Sequence, residues 1–348
     1  MPESKKPSTR KAGKVSKEPP ALKQPPVLFE KSQSMLEQIE RKLGGKLLTY
    51  WNGTRGSVCH NDVTALFRLL EEVGHQDTLY LFIKSDGGNG QASLRMVNLI
   101  RRYCRKLVAL VPLECASAAT MIALGAEEIQ MGPTAYLTAV DTSLTHDLSP
   151  IDRDNDRVSV SLDEVKRVIN LWRNNESTTR DMNPYHALFQ HIHPLVIGAV
   201  DRADSLSLML CEQILSHHID DEARRRQIAS TLNSKYPSHA YPILIDEACR
   251  IGLNTVPMDA DIASMLLDLN HIYSEMGQKA TTDINDRQAH SNEIINILER
   301  HERQIYFQQD KDWFYRPEER RWIVMNDASS WHQIKTLNGK RLKTPLFI

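Results

Sequence analysis

The 348-residue chain has almost no net charge, no paired cysteine spacing and no unbroken apolar run, and each absence removes a class of function. A net charge of −1 provides no global field to draw in nucleic acid or an acidic membrane. Cys59, Cys104, Cys115, Cys211 and Cys249 are odd in number, scattered, and never spaced Cys-x-x-Cys. That pattern argues against a disulfide framework and a metal cage, and fits a reduced, cytoplasmic protein. The longest apolar stretch, Leu107 to Ala126, holds Pro112 and Glu114 mid-run and turn-forming residues at Ser117 to Ala119, so no membrane span is expected. The start of the chain lacks the apolar segment of a signal peptide.

Charge is present but uneven. Residues 1–27 carry Lys5, Lys6, Arg10, Lys11, Lys14, Lys17 and Lys23 against Glu3 and Glu18, with several prolines and no aromatics. This composition predicts a disordered basic tail, able to make weak, salt-sensitive contacts with anionic surfaces. Residues 28–280 read as the main domain. A leading helix spans Val27 to Leu43, a strand Leu47 to Trp51, and a helix capped by Asn61 runs to Val73. Strand–turn–helix units follow, with short strands at Glu128 to Met131 and Ala135 to Val140. The alternation predicts parallel strands with crossover helices, an α/β fold. Asp141 to Ser159 is a polar loop rich in aspartate, including Asp154, and Ser161-Leu-Asp-Glu164 is a capping box. Helices are expected from there to Met276, with a break at Pro194 and a glycine stop at Gly252. Residues 281–348 read as an amphipathic helix over Thr281 to Gln304 and an extension, suited to an interface or lid.

Two of these units carry chemistry. Thr78 to Ser85 is rich in aromatic and β-branched residues and runs into Asp86-Gly-Gly-Asn-Gly90, then a helical pattern from Gln91 to Cys104. The spacing matches neither the dinucleotide fingerprint nor the phosphate loop. The next apolar strand, Lys106 to Leu113, leads to Glu114-Cys-Ala-Ser-Ala-Ala-Thr120. Ser117 therefore sits at a strand-to-helix turn among small residues, where a hydroxyl is exposed and the following amide faces what it attacks. A glycine turn beside such a serine has the makings of an oxyanion hole and a nucleophile.

Ser85-Asp-Gly-Gly88, Ala116-Ser-Ala-Ala-Thr120, Glu128-Ile-Gln-Met-Gly-Pro133 and Leu137-Thr-Ala-Val-Asp141 resemble the Clp protease/crotonase superfamily, and within it the serine dehydrogenase proteinases, relatives of signal peptide peptidase A. Leu232-Asn-Ser-Lys-Tyr-Pro-Ser-His239 and Ile245 to Leu253 extend the likeness. The resemblance implies a ββα spiral core with a helical C-terminal half, a homo-oligomer, a peptide or protein substrate and no cofactor. It also implies amide hydrolysis through an acyl-enzyme on Ser117, with Gly87 or Gly88 and Ala118 forming the oxyanion hole. This chain has Ala119 where members usually carry glycine, and Asp141 where the Clp subunit has its histidine base. Candidate bases are Lys166, His239 and His146, in that order, with Asp141 orienting a base or binding a substrate amine. Each has a plainer reading: a solvated helix-face lysine, structural histidines, a turn aspartate. The alternatives are a catalytically inactive scaffold or protein-binding module, and crotonase-type acyl-CoA chemistry. His191-Ile-His193 and His217-His218 lack a third ligand at helix spacing, so no metal site is expected.

Overall fold

The computed structural model describes residues 20–141, 143–153, 156–174, 183–337 and 339–348. Residues 1–19, most of the expected basic tail, lie outside the described residues, as does Asp154 of the acidic loop. From residue 20 the chain runs along the sheet: Lys23 N–H donates to Thr282 Oγ1 at 2.9 Å, and Gln24 Oε1 accepts from Asn292 Nδ2 at 3.0 Å.

Helix α1 (Phe29–Leu43) stops at Gly44, left-handed at φ 66°, and β1 (Lys46–Asn52) follows. Next come α2 (His60–Val73), β2 (Gln76–Lys84), α3 (Gly90–Ile100), β3 (Cys104–Val111), β4 (Glu114–Cys115), α4 (Ala118–Ala123), β5 (Glu128–Met131) and β6 (Tyr136–Leu137). Helix α2 is capped at Cys59 rather than Asn61, because the Asp62 carboxylate reaches back to Cys59 N–H at 2.7 Å. Helix α3 ends before the expected Cys104, which already opens β3.

Strands β1, β2, β3 and β5 are parallel neighbours in one sheet. Their apolar residues face two cores alternately, the pattern of a parallel sheet covered on both sides. Leu79, Leu81 and Ile83 join the core shared with α2, α3 and α4, whereas Phe82 joins the one formed with α1. Beyond the strand ends the chain bends and re-pairs in a second, short ladder. Val58 bridges Gly88, Ser85 bridges Cys115, and β4 pairs with β6, so each unit contributes two strand segments and a helix. This ladder brings the glycine turn beside the serine turn.

Short strands β7 (Ser143–Leu144) and β8 (Val160–Ser161) precede α5 (Leu162–Arg173), which has the expected capping box. Helices α6 (Pro184–Leu188), α7 (Pro194–Leu215), α8 (Glu222–Ser234) and α9 (Ile245–Ile251) follow, with Gly252 closing the last. Strand β9 (Thr255–Pro257) pairs with β5, and α10 (Ala260–Met276) packs on the α1 side. Among the described residues no helix is long and apolar enough to cross a membrane; Leu107–Ala126 is divided among β3, β4 and α4.

The expected helix over Thr281 to Gln304 is not formed. This region is β10 (Ala280–Asn285), β11 (Gln288–Arg300) and the start of β12 (Arg303–Arg316). With β13 (Arg321–Asp327), β14 (Ser330–Leu337) and β15 (Lys340–Leu346), these strands extend the sheet antiparallel from β1. Ile294, Ile297 and Leu298 follow helical spacing, but Ile294 and Ile297 face one core and Leu298 the other. A strand buried on both faces, with a register shift between Ile294 and Asn296, hides its period of two. The C-terminal half is thus helical only to Met276.

At this junction Glu299 is fully buried and accepts four hydrogen bonds, from Ser32 Oγ (2.7 Å), Gln33 Nε2 (2.6 Å), Tyr273 Oη (2.6 Å) and Gln304 Nε2 (2.9 Å). Glu299→Ala, which removes the shared acceptor of four side chains, is expected to cost about 2–4 kcal/mol in urea denaturation. Burial holds the Glu299 carboxyl above its ordinary pKa, with its donors opposing. The folded state thus binds this proton more tightly than the unfolded chain, and the associated stability is lost as pH rises from the ordinary carboxylate range through the raised pKa. Glu299→Gln is expected to remove that slope.

Candidate active site

Ser117 occupies a backbone conformation that side chains rarely adopt, φ 53° and ψ −118°, immediately before α4. Such a conformation costs about 1–3 kcal/mol and needs surrounding structure to hold it. Here the support comes from two threonines. Ser117 N–H donates to Thr138 Oγ1 at 2.8 Å, and Thr120 Oγ1 donates to Cys115 O at 2.8 Å. Thr138 N–H in turn donates to Thr120 Oγ1 at 3.2 Å, tying the turn to the segment after β6. Ser117 lines a cleft of about 390 Å³ whose walls also include Gly88, Met121, Asp141, Leu210 and His239. The role of Thr138 was not legible in sequence, since its distance along the chain from Ser117 hides their contact.

The glycine turn abuts this elbow. Gly87, at φ 105°, lies so close that a Cβ there would stand 2.7 Å from Ser117 Cβ and 2.8 Å from Ala116 O. Gly88, at φ 143°, bridges Val58. Gly87 N–H donates to Ser85 Oγ at 3.1 Å, which occupies one of the two expected oxyanion donors. Gly88 N–H and Ala118 N–H have no acceptor among the described residues. Both residues line the cleft.

Asp141 and His239 meet at the same cleft. His239 Nδ1 lies 2.7 Å from Asp141 Oδ1, with the carboxylate mostly covered and the imidazole half exposed. The Asp141 hydrogen bond, reinforced by its charge and opposed by partial burial, raises the His239 pKa. With Nδ1–H donating to the carboxylate, Nε2 is the nitrogen left for proton transfer. Two tertiary contacts make the pair. Leu137 and Ile243 exchange backbone hydrogen bonds of 3.0 and 2.8 Å, which draws the loop holding His239 against the segment ending at Asp141. Val140 is pinned through its N–H to Leu232 O (3.0 Å) and through its carbonyl to Ser207 Oγ (2.6 Å). A second lobe of about 430 Å³ continues past the pair, walled by Ser143, Ser161, Glu164 and Tyr236.

The structure does not bring Lys166 to this cleft: it is exposed on α5 and touches neither lobe. His146 sits in the polar loop, its Nδ1 accepting from Leu148 N–H at 3.0 Å, and also lies outside the cleft. Among the described residues, no group of three or more His, Cys, Asp or Glu side chains is arranged to hold a metal ion. His217 Nε2 lies 2.7 Å from Asn98 Oδ1 and His218 Nε2 2.8 Å from Leu124 O, contacts that fasten the end of α7 to α3 and α4.

No family model matches the chain, and no curated protein matches it. Among solved structures, a mutant of the 1510-N membrane-bound stomatin-specific protease is similar at TM-score 0.37 and 15% identity, covering 68% of this chain and 88% of its own. A second mutant of that protease, in complex with a substrate peptide, gives TM-score 0.37, 15% identity and coverages of 70% and 86%. A mutant of ClpP1 from Listeria monocytogenes gives TM-score 0.32, 13% identity and coverages of 68% and 99%.

Proposed function

We propose that this protein is a serine hydrolase with a Clp/crotonase-like core, cleaving peptide bonds through an acyl-enzyme on Ser117. The observation that carries the reading is the joint placement of a serine at a strained strand-to-helix turn and a hydrogen-bonded His239–Asp141 pair on one cleft. Ser117 Oγ attacks the carbonyl carbon as His239 Nε2 takes its proton. Asp141 holds the imidazole's tautomer and stabilises the imidazolium. Gly88 and Ala118 N–H groups bind the oxyanion, each donor contributing about 3–4 kcal/mol to catalysis. Collapse of the tetrahedral intermediate releases the amine with the proton from His239. Water then attacks the acyl-enzyme by the same route and frees Ser117. On this reading His239, ranked below Lys166 from sequence, is the base; the substrate is a peptide or protein and the assembly a homo-oligomer.

A noncatalytic scaffold is the second reading, favoured by one observation: no hydrogen bond joins Ser117 Oγ to His239. Active sites often close that contact only with substrate present. A fluorophosphonate probe separates the two. The expected result is a covalent adduct mapped by mass spectrometry to the peptide carrying Ser117. An adduct on another serine, or none in any oligomeric state, rejects the hydrolase.

A further inference from the structure

We propose that Ser85 is a positioning residue, acting through the glycine turn to present Gly88 N–H as the oxyanion donor, with Asn52 orienting it. This inference rests on the hydrolase reading above and adds a device to it. Ser85 and Asn52 are both fully buried. Ser85 Oγ donates to Asn52 Oδ1 at 2.5 Å and accepts from Gly87 N–H at 3.1 Å. The hydroxyl is thus used in both directions, and its proton is committed to the asparagine.

The backbone of Ser85 is tied as firmly. Its N–H donates to Glu114 O at 3.1 Å, and its carbonyl accepts from Ala116 N–H at 2.9 Å. One residue therefore links the glycine turn to the strand segment that ends at Ser117. Asn52 is anchored from behind, its carbonyl accepting from Lys84 Nζ at 2.9 Å. Across the turn, Val58 N–H donates to Gly87 O at 2.8 Å and Asn89 N–H to Val58 O at 2.9 Å. With Gly87 held at both its N–H and its carbonyl, the next amide, on cleft-lining Gly88, is the one left without an acceptor among the described residues. Gly87 is buried and Gly88 exposed, as this requires. A larger or apolar side chain at position 85 would leave the buried Gly87 N–H unpaired and the turn free to rotate.

The test uses the full-length protein labelled with ¹⁵N-glycine. Gly87 N–H is expected to exchange with solvent about 100-fold more slowly than Gly88 N–H. In Ser85→Ala, Gly87 is expected to lose that protection while the buried Gly125 keeps its own. The fluorophosphonate labelling rate is expected to fall about 10- to 100-fold, with the pH midpoint set by His239 unmoved. Asn52→Ala is expected to show the same pattern more weakly. Equal or reversed exchange of Gly87 and Gly88 in the wild type overturns the inference, and this holds even should both variants fail to fold. So does wild-type-like labelling of Ser85→Ala. Failure of the wild type itself to label at Ser117 rejects the hydrolase reading and this device with it.

Discussion

His239→Ala is expected to lower kcat for peptide or ester hydrolysis by about 10⁴- to 10⁶-fold, leaving KM within a few-fold, because a serine without its base is a weak nucleophile. The loss should nearly equal that of Ser117→Ala, and the double variant should be no worse, since the two groups act as one unit. Asp141→Asn is expected to cost about 10²- to 10⁴-fold. Its effect on pH dependence is the sharper test. The hydrogen bond and charge of Asp141 raise the His239 pKa, and only the neutral imidazole accepts the Ser117 proton. Wild-type activity should therefore rise with pH through a midpoint above that of an ordinary histidine. Asp141→Asn removes the cause, so the midpoint should move to lower pH while the plateau falls. A midpoint that stays in place, or an activity that survives His239→Ala and falls on Lys166→Ala, would return the base to α5.

Gly87→Ala is expected to destabilise the fold and to abolish labelling of Ser117. The left-handed φ of 105° alone costs alanine about 1–2 kcal/mol. The added methyl must also displace Ser117 Cβ at 2.7 Å and Ala116 O at 2.8 Å, and neither belongs to a flexible side chain that can swing aside. Overpacking of this kind adds about 1–3 kcal/mol. Either the glycine turn or the serine elbow must move, and labelling of Ser117 should fall below detection. Gly44→Ala is the control, because Gly44 is left-handed at φ 66° with nothing within 4 Å of an added Cβ. It should lose only the backbone term and label normally. Thermal denaturation separates the pair: equal melting temperatures and equal labelling would mean that the two turns are not packed as described.

The local rules of the chain are visible in its residue order. Buried strands, the glycine bend at Ser85 to Gly90, the capping box at Ser161 and the stop at Gly252 each depend on neighbours within a few positions. Ser117 was legible for the same reason, as small residues between an apolar strand and a helix former leave few other conformations. What lies beyond that reach was decided by packing. The Ile294 to Leu298 cluster has helical spacing, yet it became strand because β1 had an open edge and both faces of the new strand could be covered. The partner of Asp141 was decided likewise. Lys166 and His146 are nearer to Asp141 in the chain, but His239 reaches it because the Leu137–Ile243 bridge folds a distant loop across. Sequence by itself determined the turn at Ser117 and the parallel α/β order. Only the tertiary structure decided which imidazole meets Asp141 and which glycine amide stays open, since both follow from hydrogen bonds between segments whose separation along the chain encodes no geometry.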